Sequence, residues 1–394
     1  MSGMSGALPR YYRPERAVTA DESEWWVVVD EDFGLHVEAC AYLAGLRGAG
    51  RAFNTEKTYA GRIALYLSYC TGHGVDWSSP SLPQLMAMMR WLVDEPMRPR
   101  SRRPGATARY RSEDTANKIM GTVGEFLSWC CLQGWVPPTL VNALTQPKYL
   151  RYLPTGFDAG EDGQNRTVMA RTIKFRVAVP GYEWLSDEEI AVLLGLARHA
   201  RDAFLIQLLA ETGMRIGEAL GLRRKDMHLL PDSRVLGCRH EGPHVHVHRR
   251  LNANGAFAKA RQPRAIPVER DTIEAYSRYQ YERDEVGEAT GADMGSDLVF
   301  VNLFHPPLGE PMKYANAYEL FCRLAARAGF RARPHMFRHS AITKMRRAGV
   351  DRRVVQEIAG HVSASSQDVY SHVTDSDKRQ AVEMVAAARR QARS

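Results

Sequence analysis

Three groups of polar residues follow one another in a helix-patterned stretch near the carboxyl end: His335 with Arg338, His361 directly after Gly360, and Tyr370. Asp351 is a typical N-cap and Gly360 a typical helix stop, so the sequence predicts that His361 lies at a helix end. A phenol, two imidazoles and a guanidinium near helix ends suit attack on a phosphate that fixed cations hold. The stretch therefore predicts such a site, with Tyr370 as the attacking group.

The order and spacing of these residues resemble the active-site region of the tyrosine recombinase, or phage integrase, family. The family pattern is His-x-x-Arg, then Gly-His, then a tyrosine nine residues after that histidine. In a chain with 13 His and 53 Lys and Arg, about one His-x-x-Arg match is expected by accident, as a histidine beside a surface arginine. The ordered set with its spaced tyrosine is far more specific, and it favours the functional interpretation.

Two upstream segments contain the other residues that the resemblance implies. Arg215 falls on the first catalytic arginine of the family, and Glu218, one turn later, on a supporting carboxylate. Lys259 falls on the family's catalytic lysine, because it follows a predicted hairpin turn and precedes a strand of the Arg-x-x-Pro type, residues 264–267. Taken alone, Arg215 is also compatible with a helix arginine paired to Glu218, and Lys259 with a solvated hairpin lysine.

The resemblance also implies a mechanism and a role for each residue. Tyr370 attacks a DNA phosphate and forms a covalent 3′-phosphotyrosine link, which conserves the bond energy and needs no ATP. Arg215 and Arg338 bind the non-bridging oxygens in a forked geometry that lysine cannot supply. No metal ion or other cofactor is implied, and no Gly-Lys-[Ser/Thr] phosphate loop is present. The remaining roles are general acid for Lys259, proton movement at the phenol for His335, and a hydrogen bond to the phosphate for His361.

Composition limits the class of protein. A chain of 394 residues is too long for one ordinary core, which predicts two domains. The net charge of +8 and the pI of about 9.2 favour a polyanionic partner. No run of eighteen apolar residues predicts a membrane span, and the first residues lack the apolar core of a signal peptide. Six scattered cysteines without a CxxC pair predict reduced thiols, and hence a cytoplasmic protein.

Hydrophobic periodicity divides the chain into four segments. Residues 1–34 are interpreted as an N-terminal leader, and residues 35–155 as a bundle of four or five short helices that resembles the family's core-binding, SAM-like domain. Residues 156–183 are rich in Gly, Asp and Asn and predict a linker. Residues 184–394 predict the catalytic domain, mainly helical with a small antiparallel β-sheet. The resemblance implies that the two domains close around DNA as a C-shaped clamp.

A basic segment lies between the third and fourth predicted helices. Two prolines and a glycine exclude a helix there, and its arginines have no neighbouring carboxylate. A solvated loop is the ordinary interpretation of such a run, but the missing carboxylates favour contact with DNA phosphates. The predicted DNA-binding residues are Arg98, Arg100, Arg102, Arg103, Arg109, Arg111 and, at the start of the fourth helix, Asn117 and Lys118.

Residues 227–268 predict the small sheet, in which histidines alternate with Val245 and Val247. His240–His244 matches the HExxH signature of zinc proteases, which needs both imidazoles on one continuous helix. Gly242 and Pro243 break such a helix, so the zinc-protease interpretation is excluded. Cys238 and the later histidines leave open a metal site that arises from strand alternation. Polar side chains on the open face of a sheet are favoured instead, and no metal is predicted.

The partner implied by the resemblance is double-stranded DNA with specific recombination sites. Strand exchange between two duplexes requires four cleavages and hence a homotetramer on DNA, although the free protein can be a monomer. An accessory directionality factor is a further expected partner, and the hairpin segment is most similar to integrases of transposons and other mobile elements. Two alternatives stay open: a type IB topoisomerase, which relaxes supercoils without site preference, and a catalytically inactive DNA-binding regulator.

Overall fold

The computed structural model describes residues 11–97, 108–152, 164–177, 183–250, 252–258 and 262–360. These residues form two compact units. The amino-terminal unit contains residues 11–152 and 164–177, and the carboxy-terminal unit contains the described residues from 183 to 360. Across these ranges, none of the helices is long and apolar enough to cross a membrane.

Five helices build the amino-terminal unit, and their apolar faces meet in one core. The fourth helix illustrates why they form: Ser112 accepts a hydrogen bond from the backbone N–H of Thr115, which caps the helix start. Val123 and Phe126 then recur on the face that is buried in the core. The helices are α1 (Val37–Gly48), α2 (Phe53–His73), α3 (Leu82–Asp94), α4 (Glu113–Leu132) and α5 (Pro138–Ala143).

Two β-hairpins belong to the same unit. Strands β1 (Arg13–Val18) and β2 (Glu24–Val29) pair antiparallel and pack on α2, where the buried carboxylate of Glu56 accepts a hydrogen bond from the backbone N–H of Trp26. Part of the predicted leader is therefore an ordered hairpin.

Strands β3 (Thr145–Tyr149) and β4 (Thr167–Arg171) also pair antiparallel. The structure differs here from the predicted linker, because residues 164–177 belong to the amino-terminal unit. The physical reason is that Ile173 is buried in its core and that both polar atoms of the Asn117 amide bond to the backbone of Phe175.

The carboxy-terminal unit places seven helices around a three-stranded antiparallel sheet. Ser186 and Glu189 form a capping box at the start of the first helix, in which each side chain accepts a hydrogen bond from the backbone N–H of the other residue. The sheet has the order β5 (Met227–His228), β6 (His244–Val247), β7 (Arg264–Pro267). The helices are α6 (Asp187–Leu196), α7 (Ala200–Thr212), α8 (Ile216–Ala219), α9 (Arg270–Thr290), α10 (Tyr314–Ala328), α11 (Pro334–Arg347) and α12 (Arg352–Ala359). The predicted class, mainly helical with small antiparallel sheets, is confirmed.

Residues 252–258 lie within the segment 227–268 that predicts the small sheet, but they are not in a strand. The side chain of Asn254 is buried, and its amide donates hydrogen bonds to the carbonyl oxygens of Leu220 and Met312. The backbone of Phe257 also passes so close to Gly217 that a Cβ atom there would lie 3.0 Å from its carbonyl oxygen. Packing on α8 therefore replaces pairing in the sheet.

Truncation of a buried leucine tests the core of the amino-terminal unit. Leu67 on α2 is 1% exposed, so Leu67→Ala is expected to lower the free energy of unfolding by about 2–5 kcal/mol through lost burial and a residual cavity. Tryptophan fluorescence during urea unfolding reports on this unit, which contains six of the seven tryptophans: Trp25, Trp26, Trp77, Trp91, Trp129 and Trp135.

The matched control is the same substitution at Leu132, the last residue of α4, which is 83% exposed. Leu132→Ala is expected to change stability by less than about 0.5 kcal/mol. Equal effects of the two substitutions would contradict the packing of α2 described above.

Candidate active site

Arg215 follows a tight turn between two helices. Helix α7 ends at Thr212, and Gly213 takes a left-handed conformation with φ 61°. A Cβ atom at Gly213 would lie 2.9 Å from the Cβ atom of Ala341 on α11, so both the backbone angle and the close approach require glycine. Met214 is fully buried in the core, whereas the Arg215 side chain stays partly exposed at the start of α8. The turn thus brings a guanidinium to the surface from a rigid base.

Glu218, one turn later on α8, is the carboxylate that fixes this guanidinium. Its side chain has no solvent exposure. One oxygen accepts a hydrogen bond from Nη1 of Arg215 at 3.0 Å, and the other accepts from the backbone N–H of Arg215 at 2.9 Å. Arg264 on β7 donates to the same carboxylate through Nη2 at 2.8 Å and through Nη1 at 3.4 Å. A buried carboxylate therefore joins two guanidiniums.

The environment of Glu218 also sets its charge. Burial alone raises the pKa of a carboxyl group, but here the Arg264 guanidinium, the backbone N–H of Arg215 and the Arg215 guanidinium outweigh it. The pKa of Glu218 is lowered from its usual value of 4.5, so the carboxylate is ionised at neutral pH. The arrangement agrees with the supporting role predicted for Glu218, which stays a prediction.

Arg264 lies in the predicted Arg-x-x-Pro strand, but no role was predicted for it. Its side chain is nearly buried, with 6% exposure, and its Nε donates a hydrogen bond to the carbonyl oxygen of Ile358 on α12 at 2.8 Å. The strand pattern was the available signal. The pairing with a residue 46 positions earlier in the chain was not visible from spacing.

Arg338 lies in the interior of the unit with 1% exposure. Nη1 donates a hydrogen bond to the carbonyl oxygen of Gly213 at 2.9 Å, and Nη2 donates to the carbonyl oxygen of Ala359 at 2.6 Å. It therefore connects the turn before Arg215 with the end of α12, where Gly360 takes the left-handed conformation that stops the helix. The predicted N-cap Asp351 and stop Gly360 of this helix are confirmed.

His335 lies in the first turn of α11, one turn before Arg338, and is exposed. Its ring meets the ring of His339 edge-on, with centroids 4.5 Å apart. The His-x-x-Arg pair is thus divided between an exposed imidazole and a buried guanidinium. Three arginines (Arg215, Arg264, Arg338) and the carboxylate of Glu218 lie together among the described residues of the site. Guanidinium groups suit an anion with several oxygens, such as a phosphate.

The other three predicted catalytic residues, Lys259, His361 and Tyr370, lie outside the described residues. The described residues that precede Lys259 and those that precede His361 are nevertheless both attached to the site. Residues 252–258, which precede Lys259, are fastened to α8 through Asn254. The chain leaves the described residues at Gly360, directly after the carbonyl group that Arg338 holds.

Four of the predicted DNA-binding residues, Arg98, Arg100, Arg102 and Arg103, lie outside the described residues. Arg109 is exposed, and its carbonyl oxygen accepts a hydrogen bond from the backbone N–H of Met97. The guanidinium of Arg111 lies over the ring of Trp91. Lys118 forms an exposed ion pair with Asp114 on the same helix. The Asn117 amide fastens the backbone of Phe175, so its described contacts are structural.

Potential metal ligands occur on the three-stranded sheet of the carboxy-terminal unit. His244 of the HExxH match lies on strand β6, and residues 240–243 are not helical, which agrees with the exclusion of a zinc-protease site. A different group of side chains meets there, made of His228, Cys238, His244 and His246.

Comparison with known proteins gives consistent results. The family model described as the phage integrase family matches residues 183–377. Transposase A from transposon Tn554 of Staphylococcus aureus is 25% identical over 362 residues, which cover 89% of this chain and 91% of the transposase. Tyrosine recombinase XerD of Chlorobaculum tepidum is 31% identical over 199 residues, which cover 48% of this chain and 57% of XerD.

Solved structures share the fold. The integrase of transposon Tn1549, solved in complex with transposon right end DNA, superposes with a TM-score of 0.56 at 18% identity and covers 89% of this chain and 99% of the integrase chain. A lambda integrase dimer bound to a COC′ core site gives a TM-score of 0.52 at 15% identity and covers 85% and 95% of the respective chains. At these identities the likeness concerns the fold alone.

Neutralising the buried carboxylate tests the centre of the site. Glu218→Gln removes the charge that two guanidiniums share, and it is expected to lower the free energy of unfolding by about 3–5 kcal/mol at neutral pH. Because the folded-state pKa of Glu218 is lowered, its stabilising effect is complete above 4.5 and is lost as the pH falls through the folded-state value. The difference in the free energy of unfolding between wild type and variant should therefore shrink as the pH falls below the folded-state pKa of Glu218. Urea unfolding followed by circular dichroism at several pH values measures it.

Glu319→Gln, an exposed carboxylate on α10, serves as the control and is expected to change stability by less than about 0.5 kcal/mol. If the Glu218→Gln protein is as stable as the wild type at neutral pH, the ion pairs of this carboxylate with Arg215 and Arg264 do not stabilise the fold.

Proposed function

Because the chain belongs to the phage integrase family of tyrosine recombinases, enzymes that transfer DNA strands, we propose that it is a site-specific DNA recombinase of the integrase or transposase type. The observation that carries the proposal is the cationic site in which buried Glu218 holds Arg215 and Arg264, while Arg338 connects Gly213 with the end of α12. The similarity to Tn554 transposase A, which spans most of both chains, favours transposition as the biological role.

The reaction exchanges one ester of phosphate for another. The phenolic oxygen of Tyr370 attacks the phosphorus of a DNA phosphodiester, and the bond from phosphorus to the 5′-oxygen breaks. The 5′-oxygen takes a proton from Lys259 and leaves as a hydroxyl group, while the phenol proton passes towards His335. A 5′-hydroxyl of another strand then attacks the 3′-phosphotyrosine and releases Tyr370. Because no phosphate is hydrolysed, the bond count is unchanged and ATP is not consumed.

The described cations supply electrostatic stabilisation. In the transition state, the non-bridging oxygens carry more negative charge than in the substrate, so fixed donors accelerate the step. Arg215 is anchored at one end of its guanidinium by Glu218 and is partly exposed, so it is held in place without being enclosed. Arg264 balances the second half of the carboxylate and is a positioning residue for Arg215. Arg338 contributes a second cation from a rigid helix.

Connectivity supports delivery of the nucleophile to this site. The chain passes from Ala359, whose carbonyl oxygen Arg338 holds, through Gly360 to His361. Tyr370 follows nine residues after His361, and nine extended residues span at most about 30 Å. That length is compatible with attack within one protomer or on the DNA bound by a neighbour. We place His361 at the phosphate because only Gly360 separates it from Ala359, whose carbonyl group Arg338 holds.

The proposal extends to the rest of the chain. The helical segment of residues 35–155 acts as the core-binding domain, and residues 184–394 form the catalytic domain. Four protomers act on two duplexes that carry specific recombination sites, and an accessory factor sets the direction. The basic segment of residues 98–111 contacts the DNA backbone, because its arginines are present without carboxylates to neutralise them.

A covalent-capture experiment tests the proposed reaction. The substrate is a nicked duplex made from the junction that flanks the gene in its genome, from which a cleaved fragment diffuses away and traps the protein on DNA. The wild type is expected to give a covalent protein–DNA band and Tyr370→Phe none. Arg215→Lys is expected to form the band about 10²–10³-fold more slowly, because lysine lacks the forked donors.

Tyr314→Phe, at an exposed tyrosine on α10, is the matched control and should react like the wild type. Absence of the band with wild type on the flanking junctions would favour the inactive regulator. Relaxation of a supercoiled plasmid that lacks any junction would favour a type IB topoisomerase.

The salt dependence of DNA binding tests the basic segment. Serine at positions 98, 100, 102 and 103 removes four arginines. The slope of log K against log salt concentration is then expected to fall by about 0.9 for each phosphate contact that is lost. Fluorescence anisotropy with a labelled duplex at several salt concentrations measures the slope.

The control is a protein with serine in place of Arg234 and Arg270, two exposed arginines that already have carboxylate partners. Its slope should equal that of the wild type, and an unchanged slope in the fourfold variant would rule out phosphate contact by this segment.

A further inference from the structure

The face of the sheet opposite the core carries a row of histidines. His228 on β5 pairs with His244 on β6 in the antiparallel register, and His246 lies two residues farther along β6. Because side chains alternate along a strand, His244 and His246 point to the same face, while Val245 and Val247 are buried in the core on the other face. Register and alternation therefore bring three imidazoles together.

The connection between β5 and β6 adds a thiol to this group. A 3₁₀ turn at Ser233–Leu236 is followed by Gly237 in the left-handed conformation, which turns the chain back over the sheet. The fully buried Ser233 donates a hydrogen bond to the carbonyl oxygen of Gly242 and closes the loop. Cys238 thus arrives with its Sγ 3.2 Å from Nε2 of His244 and 3.3 Å from Nε2 of His246.

The distances among these atoms are those of a coordination sphere. Tetrahedral zinc with bonds of about 2.0–2.1 Å to nitrogen and 2.3 Å to sulfur places its ligand atoms about 3.3–3.6 Å apart. The Nε2 atoms of His244 and His246 are 3.0 Å apart, close to that edge, and the sulfur distances are close to it as well. One ligand atom from each of the four residues lies within 4.8 Å of all the others, so a small side-chain rotation completes the tetrahedron.

The hydrogen bonds around the cluster favour a cation at its centre. Nδ1 of His244 lies 2.8 Å from the carbonyl oxygen of Gly242, so this nitrogen carries the proton and Nε2 presents a lone pair. Nδ1 of His228 is buried and has no hydrogen-bond partner among the described residues. Converging lone pairs of neutral imidazoles are the ligands that zinc prefers.

We propose that Cys238, His228, His244 and His246 bind one structural Zn²⁺ ion. Four protein ligands close the tetrahedron and leave no position for a reacting water, which distinguishes a structural site from a catalytic one. The ion fastens residues 229–243 to β5 and β6, in the same sheet whose third strand contains Arg264. This inference departs from the sequence-based prediction that the polar side chains of the sheet bind no metal, and it does not depend on the proposed recombinase activity.

Metal analysis of the full-length protein tests the site directly. The protein is expressed without a polyhistidine tag, passed through gel filtration at neutral pH and analysed for zinc by plasma mass spectrometry. About one zinc per chain is expected. After removal of the metal with a chelator, Co²⁺ is added; a thiolate charge-transfer band with the intense visible bands of tetrahedral cobalt is expected. These measurements use the wild type, so they do not depend on whether a variant folds.

Variants then identify the ligands. Cys238→Ser and His246→Gln are each expected to weaken Zn²⁺ binding by about 10²-fold or more, since even loss of an outer hydrogen bond to a zinc ligand weakens binding by about 10–100-fold. Cys322→Ser, at an exposed cysteine on α10, is the matched control and should retain the metal and the cobalt spectrum.

The metal-free alternative is a hydrogen-bonded network of a thiol and neutral imidazoles. Chelator-treated wild type that fails to bind Zn²⁺ or Co²⁺ would establish that network and overturn the proposal. A cobalt spectrum without thiolate bands, or zinc retained at full stoichiometry in Cys238→Ser, would overturn it as well.

Discussion

The arrangement of the site in the carboxy-terminal unit depends on one buried negative charge, that of Glu218. Glu218 has no contact with solvent, and an isolated carboxylate in that position would be strongly disfavoured. Arg215 and Arg264 compensate the charge of this carboxylate. Arg215 lies at the start of α8, the helix that contains Glu218, and Arg264 lies on strand β7. The pairing fixes the orientation of the partly exposed Arg215, and it also ties α8 to β7. In the function proposed above, an orientation that is set in the interior needs no rearrangement when a phosphate binds.

The same principle appears where helix α12 ends. The carbonyl groups of a last helical turn lack partners within the helix and carry partial negative charge. Arg264 and Arg338 satisfy two consecutive carbonyl oxygens, those of Ile358 and Ala359. The guanidinium groups at the proposed phosphate site therefore also satisfy backbone acceptors of α12. This dual use accounts for arginines rather than lysines at these positions, because a guanidinium bonds several acceptors at fixed angles.

Local features of the carboxy-terminal unit were predictable from the sequence. The capping box at Ser186 and the helix bounded by Asp351 and Gly360 follow from short-range backbone chemistry, and all are present in the structure. Contacts between distant residues were not predictable. The pairing of Arg264 with Glu218 depends on a strand and a helix 46 positions apart, and the histidine cluster depends on the register between β5 and β6.

The segment of residues 164–177 shows the same limit of sequence reasoning. Its composition indicated a linker, but partners contributed by other elements hold it in the amino-terminal unit. Asn117 on α4 is one such partner, and strand β3 is another. The composition of a segment shows how polar it is. It does not show which distant strand or helix offers partners to that segment. The membership of residues 164–177 therefore became visible only with the structure.

The attachment of α12 has a mechanical consequence. Arg338 donates one hydrogen bond to the turn before Arg215 and another to the end of α12. These two hydrogen bonds connect the turn rigidly to Gly360, the last described residue. A force applied to the polypeptide beyond residue 360 is transmitted to the two residues that precede Arg215. Tension on the chain beyond residue 360 is therefore expected to reach the guanidinium groups of the same protomer.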